Sequence, residues 1–117
     1  MKREITREIP KVWGKEIWLV NRYDYCGKLL YVNKDACCSV HMHPIKTESF
    51  FLLSGIVSLE VEDERIILLP DSYAVTILPG QYHRYTGIED SVILEISTHH
   101  EDSDTIRKEE SRAAVRR

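Results

Sequence analysis

Apolar and polar positions alternate along this chain in short runs, and no long helical period interrupts them. IVSLEVE, Ile56 to Glu62, is the cleanest case: Val57, Leu59 and Val61 share one face, and Ser58, Glu60 and Glu62 the other. KEIWLV (Lys15 to Val20) and GKLLYVN (Gly27 to Asn33) flank a polar turn around Asp24. ACCSVHMH and SFFLL (Ser49 to Leu53) follow. Asp63-Glu64 turns the chain into RIILLP, and Pro70-Asp71-Ser72 turns it again into YAVTIL. HRYTG and SVILEIS close the set. About nine strands at such spacing predict an all-β sandwich or barrel. The stretch from Ile5 to Val20 reads as an exchanged or edge-capping strand, because an unpaired edge invites aggregation. The charged tail, Asp102 to Arg117, reads as a short helix or loose coil.

Length and charge narrow the classes of function. The 117 residues suit one domain with a single core. A formal charge of -3, mixed in sign along the chain, offers no basic stripe for nucleic acid and no patch for a membrane surface. The start, MKREITREIPK, is charged and unlike a secretory signal, and no apolar run approaches the ~20 residues that span a bilayer. Cys26, Cys37 and Cys38, an odd count with an adjacent pair, make a poor disulfide framework and fit reduced thiols in a cytoplasmic setting. Cys37 shares the parity of His41 and His43 and is expected on their face, mainly as filler.

The chemistry concentrates in HMHPIKTESFFLLSG, His41 to Gly55. In an extended strand His41 and His43 point the same way. Pro44 cannot donate to a sheet ladder and marks a strand end or edge. Glu48 heads the returning strand, where its carboxylate can reach both imidazoles. Two nitrogens and one carboxylate converging suit a borderline divalent ion. The same residues also fit two exposed histidines and a solvated turn glutamate. A second stretch, ILPGQYHRYTG (Ile77 to Gly87), carries a strand into the turn Pro79-Gly80, and His83 just beyond it is placed to complete a ligand set.

With both stretches in view the chain resembles the cupin superfamily. His41, His43, Glu48 and Gly55 satisfy the whole of the first cupin motif, and Gly80 and His83 fit the second. The departures are Pro79, one place late, Asp71-Ser72 where a glycine is common, and Gly87 where an asparagine often sits. None touches a ligand. The resemblance implies a cupin β-barrel (a double-stranded β-helix, or jelly roll) over 1–117, with its core about 11–107. It implies one divalent ion (Mn, Zn, Fe, Ni or Co) held by His41, His43, Glu48 and His83. It also implies a homodimer, since cupin barrels commonly pair through sheet edges and N-terminal strands.

Two flanking stretches resemble the sugar-phosphate cupins of the mannose-6-phosphate isomerase type. Lys11, Trp13 and Gly14 match the entry to the first strand, with Val12 in place of a proline. Glu95, Asp104 and Arg107 match positions near the end, whereas EESRAAVRR departs from the long relatives. That likeness implies aldose-ketose isomerisation or epimerisation of a sugar or sugar phosphate. Glu48, beside its ligand role, and Glu95 are then the candidate catalytic carboxylates, Glu95 as the base that moves a proton between C1 and C2. Parity speaks against Glu95, because Val92, Leu94 and Ile96 form the more apolar face of its strand. Lys46 and Arg107 are candidates to hold a phosphate or acid group, though each also reads as a solvated surface cation, Lys46 foremost. Trp13, Tyr82 and Tyr85 are candidates for an aromatic wall against a sugar, or plain core. His99 and His100 fall outside the motifs and read as surface residues. A non-haem metal dioxygenase, or a binding module without turnover, remains open on the same centre.

Overall fold

The computed structural model describes residues 1–114, so the last three residues of the charged tail lie outside it. Eleven strands are present among the described residues, and no helix. They are β1 (Arg7–Lys11), β2 (Gly14–Asn21), β3 (Cys26–Val32), β4 (Val40–Met42), β5 (Glu48–Ser54), β6 (Val57–Val61), β7 (Glu64–Leu68), β8 (Val75–Ile77), β9 (His83–Gly87), β10 (Ser91–Ser97) and β11 (Ile106–Glu109). Two antiparallel sheets face each other. One runs β1-β2-β3-β10-β5-β8 and the other β11-β4-β9-β6-β7. The expected all-β architecture is the one found.

Alternation builds the core. Leu30 and Val32 of β3, Phe50 and Leu52 of β5, and Ile93 of β10 point inward from the larger sheet. Val57 and Leu59 of β6, Leu68 of β7 and Tyr85 of β9 meet them from the smaller one, and Trp13 closes one side. Burying these side chains at ~25 cal/mol per Å² drives the two sheets together. The cluster fills one end of the space between the sheets. The other end is polar and holds the site.

Three expectations change. The stretch from Ile5 to Val20 is not one strand but the hairpin β1–β2, broken at Val12-Trp13, with β1 at the outer edge of the larger sheet. Gly14 is the reason the chain can turn there: its φ is +149°, and a Cβ would overlap the Tyr31 carbonyl oxygen. The described part of the tail holds a strand where a short helix or loose coil was expected. Its residues Ile106 to Glu109 form β11, which pairs with β4 and sets Arg107 opposite His41. Cys37 lies in an irregular stretch held by isolated bridges to Thr86 and Arg112, so strand parity does not run through it. Cys38 takes the inward position instead. In the turn Pro70-Asp71-Ser72, Asp71 adopts the left-handed conformation, with φ 54°, which aspartate tolerates better than most residues.

Candidate metal centre

Three strands and the loop that follows one of them deliver four side chains to one point. His41 stands on β4, directly opposite His83 on β9. His43 follows one residue past the end of β4, and Glu48 opens β5 in the facing sheet. One donor atom from each of His41, His43, Glu48 and His83 lies within 4.8 Å of every other. These four residues could hold a metal ion.

The backbone sets which nitrogen is offered. His41 Nδ1 donates to the Ser39 carbonyl at 2.9 Å, His43 Nδ1 to the Asp104 carbonyl at 2.7 Å, and His83 Nδ1 to the Gln81 carbonyl at 2.9 Å. A carbonyl only accepts, so each ring is protonated at Nδ1 and keeps its Nε2 lone pair free. His83 Nε2 and Glu48 Oε1 are 2.8 Å apart but are not aligned for a hydrogen bond, and both are buried without a hydrogen-bond partner. Two lone pairs facing one another in a desolvated place are costly unless a cation serves both. The donor set therefore fits a divalent ion, and three nitrogens with one carboxylate suit manganese, iron, cobalt, nickel or zinc alike.

Asp104, which the family likeness singled out, works from behind. Its carboxylate accepts the backbone N–H groups of Ile45 and Lys46, each at 2.9 Å, while its carbonyl orients His43. The loop between β4 and β5 is thereby pinned, and Lys46 is turned inward. Lys46 is no surface cation: it is 3 % exposed. Three acceptors surround its Nζ, Glu48 Oε2 at 3.0 Å, His100 Nδ1 at 3.1 Å and Glu95 Oε2 at 3.3 Å. With its donors so engaged it is not available to hold a phosphate.

Glu95 also faces inward, 4 % exposed, against the parity of its strand. The apolar residues that suggested the opposite lie on the outer face, where Ile96 is 58 % exposed. Burial raises the Glu95 pKa, the neighbouring Glu48 raises it further, and the ammonium groups of Lys46 and Lys28 oppose them. Burial would raise Glu48 too, but the Lys46 ammonium beside it outweighs that and holds the carboxyl well below the usual range. Burial would lower Lys46, but Glu95 and Glu48 keep it charged. His100, expected at the surface, is half-buried beside Lys46 and bonded to Asp102 at 2.8 Å.

These groups line a cavity of about 90 Å³ that opens past Lys11, Asp102 and Arg107. Trp13 and Tyr85 form one wall, edge to face at 5.2 Å. Tyr82 is not part of it and lies instead under the Lys108 ammonium. Sequence reading missed Lys28, Glu16, Cys38 and His100. The signal for Lys28 was a charge on the same parity as Leu30 and Val32, obscured by an equally apolar opposite face.

Burial depresses His41 to about 3, helped by the nearby His83, and His100 to about 4, and it lowers His43 as well. In the unfolded chain these rings titrate near 6.5. As pH falls below about 6.5 the unfolded chain binds protons that the folded one refuses, so the metal-free protein loses stability progressively towards pH 3. Glu95 and His99, whose pKa values are raised, act in the opposite sense, while Glu48 and Asp102, held low, act with the three rings. Urea midpoints of chelator-treated protein are expected to be lower at pH 5 than at pH 7.

No protein-family model matches the sequence. An oxidoreductase of Arthrobotrys oligospora is 40% identical over 47 residues, which is 40% of this chain and 19% of that protein, so the chain spans about a fifth of the curated relative's length. KdgF from Halomonas sp. superposes with a TM-score of 0.70 at 18% identity, covering 76% of this chain and 81% of that one. An RmlC-like cupin from Shewanella frigidimarina superposes with a TM-score of 0.75 at 13% identity, covering 84% and 87%. The fold is that of a cupin jelly roll. Within it lies a three-histidine, one-glutamate cluster able to bind metal.

Proposed function

We propose that the protein is a metal-dependent cupin enzyme that isomerises or epimerises a small hydroxy-carbonyl compound, a sugar or sugar phosphate. The observation that carries this reading is the second buried carboxylate. Glu95 shares the cavity with the ligand set but is not a member of it, and Lys46 stands between it and Glu48. A divalent ion held by His41, His43, Glu48 and His83 would supply Lewis-acid polarisation of a substrate carbonyl. Glu95 then takes the proton from the hydroxyl-bearing carbon and returns it to the former carbonyl carbon, while the hydroxyl proton passes to the former carbonyl oxygen, so that carbonyl and hydroxyl exchange places. A raised pKa makes it a better base than a solvated carboxylate. Lys46 steadies the carboxylate on both sides of that transfer. The reacting end of a sugar would lie in the cavity, between Glu48 and Glu95. The remainder, with any phosphate, lies in the mouth, where Arg107 offers a forked contact. Trp13 and Tyr85 give the enclosed carbons an apolar wall.

The test is proton exchange. Protein purified without an affinity tag and loaded with manganese, zinc or nickel is incubated anaerobically in D₂O with aldoses and their phosphates, and NMR reads deuterium at C2. Glu95→Gln is expected to keep its metal and lose exchange. The oxidoreductase likeness favours a second reading, a non-haem metal dioxygenase on the same centre. Oxygen uptake by iron-loaded protein with no C2 exchange from any sugar would select it and overturn the first.

A further inference from the structure

Lys28 is a buried cation that the proposed reaction leaves unused. It stands on β3 directly opposite Glu95 on β10, is 1 % exposed, and lines the cavity. Its surroundings hold it without satisfying it. The nearest carboxylate oxygen, Glu16 Oε1, is 3.6 Å away and already accepts the Trp18 Nε1 proton at 2.8 Å. The Trp18 ring, 4.5 Å from the ammonium, offers only its π face. Lys46, by contrast, has acceptors at 3.0, 3.1 and 3.3 Å. Among the described residues Lys28 makes no hydrogen bond. A buried ammonium with unspent donors is costly unless something in the cavity accepts from it.

We propose that Lys28 binds a carboxylate of the substrate, so that the sugar turned over is an acidic one. The inference rests on the sugar-isomerising reading above and names the substrate class of that site. Charge points to it first. The four cationic side chains of the cavity, Lys11, Lys28, Lys46 and Arg107, are matched by four carboxylates, so a divalent ion beside them leaves positive charge over. A neutral sugar does not answer that surplus, and an acidic one does. Position agrees. Strand β10, with Glu95, lies between β3 and β5, so the strand of Lys28 is two spacings, about 10 Å, from the strand of Glu48. A sugar held by its carbonyl end beyond Glu95 therefore lays its far end on the Lys28 side of the mouth. There the Lys11 ammonium, 3.9 Å from Glu16, flanks the same carboxylate as Lys28 and adds a second positive charge. The acid group is a carboxylate because Lys28 lies between Glu95 and Glu16, where the two charges of a phosphate would meet stronger repulsion than one. Phosphate is left to Arg107, whose contact at the exposed strand β11 is screened by water.

Calorimetric titration of the zinc-loaded protein with glucose, glucuronate and glucose 6-phosphate, and with the galactose and mannose counterparts, tests this. The members of each series differ only at C6. In at least one series the hexuronate is expected to bind about tenfold or more tighter than its neutral parent. Lys28→Met is expected to bring it down to the parent's affinity, with zinc content and circular dichroism unchanged. Glu16→Gln is expected to tighten hexuronate binding several-fold, because it removes the carboxylate that competes for Lys28. A purely structural lysine would not produce that gain, and this arm stands even if Lys28→Met fails to fold. Neutral sugars binding as tightly as hexuronates, or no hexuronate binding at all, overturns the proposal. So does a preference that survives Lys28→Met in folded protein, or one lost in Arg107→Met instead. A Lys28 dependence seen with the 6-phosphates and not the hexuronates overturns the carboxylate assignment. The isomerase reading is scored separately by C2 exchange. Hexuronate binding through Lys28 without exchange sinks that reading alone, and exchange from neutral sugars without an acid preference sinks this one alone.

Discussion

Replacing His83 with alanine is expected to reduce divalent metal from near-stoichiometric to trace amounts while leaving the barrel folded. His83 is 1 % exposed and supplies one of only four donors. Outer groups that merely orient a ligand cost about 10–100-fold in affinity when lost, and removing a donor outright costs more. The fold tolerates the change because His83 begins β9 at the polar end of the interior, and the apolar cluster does not include it. In the metal-free protein the substitution also removes the buried opposition of His83 Nε2 and Glu48 Oε1. Chelator-treated His83→Ala is therefore expected to be no less stable than chelator-treated wild type. Elemental analysis after dialysis against manganese or zinc, with circular dichroism alongside, reads both parts. Full occupancy in the variant would remove His83 from the ligand set.

The second large effect is on stability. Lys46→Met keeps the length of the side chain and deletes its charge, leaving Glu48 and Glu95 in a desolvated cavity without the ammonium they share. Breaking a buried ion pair from one side costs about 3–5 kcal/mol, and the Lys46 side chain is only 2% exposed, so solvent screens little of it. Urea denaturation of the metal-free variant at pH 7 is expected to show a loss of that order. Adding Glu95→Gln should recover part of it, because one of the two stranded charges is then gone. If Lys46→Met unfolds at the wild-type midpoint, the ammonium is not balancing those carboxylates.

The contrast between these two residues explains what could be read from the sequence. His41, His43, Glu48 and His83 are fixed by local geometry: two positions apart on a strand, the head of the next strand, the far side of a proline-glycine turn. Spacing alone conveys that. Lys46 is fixed by Asp104, 58 positions away, whose carboxylate holds the backbone on which Lys46 sits, and nothing near PIKTE in sequence reveals it. Glu95 was misread for a related reason. Parity names the inner face by its hydrophobicity, and β10 is apolar outside and polar inside at the site. Strand β11, Ile106 to Glu109, has no alternation at all and is exposed along its length. It exists because β4 offers it an edge. The inner strands and the division into turns were legible, and the two edge strands β1 and β11 and the polar half of the interior were not.

Glu48 belongs to one sheet and the three histidines to the other or to its continuation. An ion shared among them would rivet the two halves of the jelly roll at the end where they have no apolar contact. Ion concentration then controls more than turnover. At a hundredfold excess over the dissociation constant, binding adds about 2.7 kcal/mol to stability. Scarcity would loosen the mouth first, letting β4, β9 and β11 breathe away from β5 while the Leu59–Leu68 end stays shut, so metal supply would govern the lifetime of the folded chain as well as its chemistry.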